Sequence, residues 1–231
     1  MTDARGRQSP KAKALRLRDA ARVYRDELSD PEQGARVLRE ARESDPDDLD
    51  LLVELVDMLG AAGEAVAAAQ ELTTAIDALE PNSPARVPLV GRRAVLRSRA
   101  NEPTGALADF EEAVAAGLLD LRPQLAEHLG KMALQAAGRG DAAEWRTYRL
   151  RIAQLRLEMG DVEEARNVLT ELLKTDSKDK ATLRAVAHVD ELEERWDAAS
   201  ATYRRLVGLE DADGIVSAAL KLAETCEKAG R

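Results

Sequence analysis

The stretch "EMGDVEEARNVLTELLKTDSKD", Glu158–Asp179, decides how the rest of the chain reads. Gly160-Asp161 is a turn signal, since glycine reaches positive φ without steric cost and aspartate accepts from the free amides that open a helix. Ala165, Leu169 and Leu172 then recur at four- and three-residue spacing, which places them on one face of a helix. A small residue on an apolar face lets a second helix approach closely. The run to Asp179 closes the unit with Ser177 and Asp179 as turn residues.

The same order of residues returns elsewhere. "SDPEQGARVLREARESDP" sets Gly34, Leu38, Ala41 and Pro46 in series, and "GEAVAAAQELTTAIDALEP" sets Ala68, Leu72, Ala75 and Pro81. Ala106, Phe110 and Ala113 follow in "NEPTGALADFEEAVAAG", and Ala199, Tyr203 and Leu206 in "RWDAASATYRRLVGLE". Gly34 and Ala68 are 34 residues apart, as are Ala165 and Ala199. The first helices supply Ala21, Ala94, Ala153 and Ala187 at a matching small position, with Val56 in the second unit.

Composition agrees with stacked helices. Of 231 residues, 45% are hydrophobic but only 3% aromatic, so Ala and Leu carry the apolar content, which suits closely approaching helices better than sheets. Turn signals at Ser29-Asp30-Pro31, Asp45-Pro46-Asp47, Gly60–Gly63, Glu80-Pro81-Asn82 and Asn101-Glu102-Pro103 cut the first half into helices. Gly117, Gly138–Asp141, Gly160-Asp161, Thr175–Asp179, Glu194-Arg195 and Glu210–Gly214 cut the second. The result is an all-α chain of about twelve helices behind a polar lead-in at residues 1–10, expected to be disordered.

These residues resemble the tetratricopeptide repeat (TPR) family, whose unit is a 34-residue helix-turn-helix. Small residues let the first and second helices of a unit approach, a large one fills the groove beside them, and Pro stops the helix. The resemblance spans about residues 11–229 and implies a right-handed α-solenoid of antiparallel helix pairs. The heavy use of Ala and Arg is similar to long arrays in large proteins of GC-rich bacteria, including myxobacteria. The register is interrupted: Ala106 and Ala165 are 59 residues apart, neither one period nor two, and Gly140-Asp141 precedes Gly160-Asp161 by 20. The expected organisation is therefore three helix pairs over 11–117, an extra helix and phase break over 118–141, and a second subarray over 142–231 ending in an unpaired or capping helix. Tyr24 keeps its packing position only if one extra residue precedes Ser29-Asp30.

Signals for catalysis are poor. His128 and His188 are the only histidines, neither in a nucleophile–base arrangement, and no phosphate-cradling glycine loop or GxSxG occurs. Cys226 stands alone, so no intrachain disulfide forms and a reducing compartment is the simpler setting. The tripeptide Arg139-Gly140-Asp141 reads as an interhelical turn. No catalytic, cofactor or metal site is expected. Lys plus Arg total 34 against 43 Asp plus Glu, a net charge of −9 that disfavours nonspecific nucleic-acid binding. No signal-peptide core or membrane-length apolar run occurs, and a cytoplasmic location is expected.

In the TPR family the concave wall is made largely by the first helix of each pair. Carried over, this points to Arg18, Arg22 and Arg25, to Asp57, to Gly91 and Val95, to Leu150, Gln154 and Leu157, and to Arg184 and His188. The implied function is a noncatalytic protein-interaction scaffold whose groove takes a peptide or protein segment carrying acidic groups beside apolar anchors. A regulatory sensor of a peptide or small ligand, and a structural spacer or self-assembly module, are the alternatives. The Lys/Asn pattern of the family's carboxylate clamp is missing, with Asp57 where Asn would help. Asp48, Asp50, Glu54 and Asp57 lie between Arg-rich helices, so the arginines have two readings: ligand capture, or pairing with the neighbouring acidic helix.

Overall fold

A computed structural model describes residues 9–230, and every described element is helical. The chain forms two compact units that divide between Leu121 and Arg122. The first holds α1 (Pro10–Asp26), α2 (Pro31–Ser44), α3 (Leu49–Ala61), α4 (Ala65–Ala78), α5 (Arg86–Arg99), α6 (Pro103–Ala115) and a 3-10 turn at Leu119–Leu121. The second holds α7 (Arg122–Arg139), α8 (Ala142–Glu158), α9 (Val162–Thr175), α10 (Lys180–Leu192), α11 (Trp196–Val207) and α12 (Ala212–Lys228). Within each unit every helix packs on its neighbours in sequence. Residues 1–8 of the expected lead-in lie outside the described residues. Ser9 and Pro10 instead open α1, with the Ser9 hydroxyl accepting from the Ala12 amide at 3.2 Å and Pro10 in the first turn.

Local chemistry fixes each corner. After α3, α5, α7, α8 and α10 one residue takes positive φ: Gly63 (80°), Asn101 (59°), Gly140 (74°), Gly160 (84°) and Glu194 (56°). The next amide then bonds back five residues, as in Glu64 N to Leu59 O (2.8 Å), Glu102 N to Arg97 O (2.9 Å), Asp141 N to Ala136 O (2.9 Å), Asp161 N to Arg156 O (2.8 Å) and Arg195 N to Asp190 O (2.8 Å). This is the Schellman closure, which satisfies a carbonyl the ending helix leaves open. At Ser29 (φ 52°) the bond runs from Asp30 N to Tyr24 O, one residue longer. The extra residue expected before Ser29-Asp30 is thus absorbed in the corner itself.

Each corner also sets the register of the next helix. The residue four positions after the capping residue donates its amide to that residue's carbonyl: Gly34 to Asp30, Ala68 to Glu64, Ala106 to Glu102, Ala165 to Asp161 and Ala199 to Arg195. All five small residues are buried, and so are Leu38, Leu72, Phe110, Leu169 and Tyr203 four residues further on. Burying each such Leu or Phe is worth about 1.5–3 kcal/mol relative to exposure. The facing positions Ala21, Val56, Ala94, Ala153 and Ala187 are buried as well. Gly34 shows why bulk is excluded: a Cβ there would lie 2.9 Å from Met58 Sδ and Cε.

At Gly140-Asp141 the same corner opens α8, but Trp145 occupies the small residue's place, its amide 3.0 Å from Asp141 O. Trp145 is half-buried against a cluster of Ala153, Leu169, Leu172 and Val189. Entered and left through the same corner, α8 packs on both α7 and α9. Its apolar residues are accordingly spread around the helix.

Candidate protein-interaction site

The arginines singled out from sequence are held by carboxylates. Arg18 Nη2 and Arg22 Nη2 on α1 both donate to Glu54 Oε1 on α3, each at 2.9 Å. Burial raises the Glu54 carboxyl, but hydrogen bonds from Arg18 and Arg22 outweigh it and hold the group below the ordinary carboxylate value. Arg25 pairs with its neighbour Asp26 at 2.6 Å on the exposed end of α1.

This arrangement recurs among the described residues. Glu71 lies between Arg39 and Arg42, and Asp109 between Arg93 and Arg97. Asp190 lies between Arg166 and Arg195, and Glu210 between Lys180 and Arg184. Asp109 is the most enclosed: its two oxygens accept from Arg93 Nε and Nη2 at 2.8 Å each, and Arg97 Nη1 adds a third bond at 2.9 Å. Both side chains of the Arg93–Asp109 pair are buried. At each of these places two cations share one carboxylate.

Two of the expected residues come together in one cleft. Asp57 of α3 and Val95 of α5 line a hollow of about 330 Å3 with Val56, Gly60, Leu96 and Arg99. Val56, Val95 and Leu96 give it an apolar floor. Gly60 leaves it open, since a Cβ there would meet only Leu96 Cδ2, at 3.8 Å. At the rim Arg92 Nη1 donates to Asp57 Oδ1 at 2.8 Å. Arg99 is exposed with no carboxylate partner among the described residues.

The other expected residues are more dispersed. Gly91 is buried where a Cβ would meet Leu121 Cδ1 at 2.9 Å and Leu118 Cδ1 at 3.0 Å, so it packs rather than faces a ligand. In the second unit Leu150 and Leu157 are half-buried against the α8–α9–α10 cluster, and Gln154 is exposed. Arg184 lines a second hollow with Tyr203, Ser217 and Lys221. Burial and the neighbouring Glu191 raise the Tyr203 phenol. His188 is exposed, its Nδ1 3.8 Å from Glu191. No group of three His, Cys, Asp or Glu among the described residues could hold a metal. No described helix is long and apolar enough to cross a membrane.

Sequence reasoning missed Arg92 and Arg99, the cleft's basic rim. Their signal was present, since both lie on α5 seven residues apart and so near one face. It was masked by three other arginines on the same helix, Arg86, Arg93 and Arg97.

No family model matches the chain, and no curated protein matches it. Solved structures similar to it include MamA 41-end from Desulfovibrio magneticus RS-1, at 15% identity over 85% of this chain and 94% of that one, TM-score 0.41. A tetratricopeptide repeat protein from Parabacteroides merdae ATCC 43184 is 16% identical over 94% and 93%, TM-score 0.42. YrrB, described as a TPR protein with an unusual peptide-binding site, is 13% identical over 90% and 92%, TM-score 0.38. The helix pairs, recurring corners and small–large register on the chain itself define its architecture. The fold is a TPR-like helical repeat.

Proposed function

We propose that this chain is a noncatalytic protein-interaction module that takes a short partner segment in the α3–α5 cleft of its first unit. The observation that carries this reading is the unpaired, exposed guanidinium of Arg99 beside an apolar floor of Val56, Val95 and Leu96. A segment with an aliphatic side chain and an acidic group beside it fits that combination, the carboxylate meeting Arg99 while the aliphatic group covers Val95. Arg18, Arg22 and Arg184 frame their own helices through Glu54 and Glu210 and act on a ligand only through the field they leave. A cytoplasmic setting accords with the single cysteine.

Selection from a random peptide display library tests the reading. The wild-type chain is expected to enrich peptides pairing Asp or Glu with Leu, Ile or Val. Arg99→Glu and Val95→Glu, each at a site that is not fully buried, should weaken the enriched peptides at least tenfold while the melting temperature holds. Equal binding by both variants would overturn the assignment.

A further inference from the structure

On the footing that the α3–α5 cleft is the binding site, we infer that Gly60 sets which side chain the cleft accepts, its missing side chain being the seat of one leucine-sized aliphatic anchor of the partner segment. The fold supplies no other reason for a glycine there. At Gly34 and Gly91 a Cβ would lie 2.9 Å from Met58 and from Leu121, so packing excludes it. At Gly63 and Gly160 the backbone takes φ 80° and 84°, which favours glycine. Gly60 lies inside α3 and outside the left-handed region, and a Cβ would meet only Leu96 Cδ2 at 3.8 Å, an ordinary contact.

The repeat register does not ask for glycine either. Four residues beyond Ala21, Ala94, Ala153 and Ala187 stand Arg25, Ser98, Leu157 and Glu191, and Gly60 holds that place after Val56. The position thus accepts side chains of any size and charge on the other first helices. Inside a helix glycine is the least favourable residue after proline, so this one destabilises α3 with no return in packing. What it provides is space.

That space has a defined shape. Asp57 pairs with Arg92 and Gly60 faces Leu96, so α3 and α5 run in the same direction along the hollow. The ion pair bridges one end. About one turn further on, Gly60 and Ala61 of α3 stand beside Leu96 and Arg99 of α5. An aliphatic side chain entering at Gly60 meets Val56, Val95 and Leu96, and leaves an adjoining carboxylate beside Arg99, one turn after Val95. A hollow of about 330 Å3 is at the small end for ligand sites, which suits a single anchor.

The probe is a fluorescent synthetic copy of the acidic–aliphatic peptide most enriched from the display library, beside a second copy whose aliphatic residue is alanine. On the wild-type chain the alanine copy should bind about tenfold more weakly or worse. On Gly60→Leu the two copies should bind alike, because the new side chain occupies the anchor's seat. Gly60→Ala should raise the melting temperature yet weaken the probe about fourfold, the equivalent of one displaced methylene. Undiminished binding by Gly60→Leu, with Arg99→Glu still weakening the probe, would overturn the role of Gly60 and leave the cleft in place. A lower melting temperature for Gly60→Ala would mean that the fold needs the glycine and would overturn it too. No enriched peptide, or equal binding by Gly60→Leu, Arg99→Glu and Val95→Glu, would overturn both the anchor seat and the cleft.

Discussion

Asp109 and Glu54 show how single side chains hold this protein. Asp109 is buried between Arg93 and Arg97, so Asp109→Ala leaves a guanidinium enclosed without its counter-charge. A loss of about 3–5 kcal/mol is expected, read by chemical denaturation. Glu54 carries a pH signature, since its folded pKa lies below the ordinary value of 4.5. A depressed pKa gives stability that is present above the ordinary value and lost as pH falls through the folded one. Glu54→Gln should therefore flatten the fall in melting temperature from about pH 5 to pH 3. The arginines were visible in sequence but their partners were not. Arg18 and Glu54 are 36 residues apart, and which carboxylate a guanidinium reaches depends on the stagger of two helices, not on either helix alone.

At the scale of the element, the corners were the most legible feature. Gly63, Gly140 and Gly160 announce positive φ, and the small–large order after Gly63 and Gly160 announces a buried face. Ser29 and Glu194 lie in turns also read from sequence, but they take positive φ without a glycine, against their local preference. Gly160→Ala should cost roughly 1–2 kcal/mol from the strain of a Cβ in the left-handed region. Gly160→Asn should cost less, as Asn101 occupies the equivalent place, and thermal melts of the two variants give the comparison. Trp145 stands at the small residue's position in the corner after Gly140. That placement emerges only when the corner hydrogen bonds are aligned.

For the whole molecule, the all-α repeat followed from periodicity and turn chemistry, because each repeated unit states its own packing. The cleft was only half legible. Asp57 and Val95 were found by the family's positions, whereas Arg92 and Arg99 appear once α3 and α5 are set side by side. Stability in such a chain is a sum of neighbouring interfaces, so damage stays local. Asp109→Ala should raise hydrogen exchange in α4, α5 and α6 and leave α10, α11 and α12 near wild-type rates. A uniform rise in exchange across both units would instead mean global unfolding. The α3–α5 cleft is the proposed seat of the partner segment. Its most direct test is an NMR titration of the isotopically labelled chain with a library-selected acidic–aliphatic peptide. Shift changes are expected to concentrate at Asp57, Gly60, Val95 and Arg99, and perturbations confined to α2, α4 or the second unit would rule the cleft out.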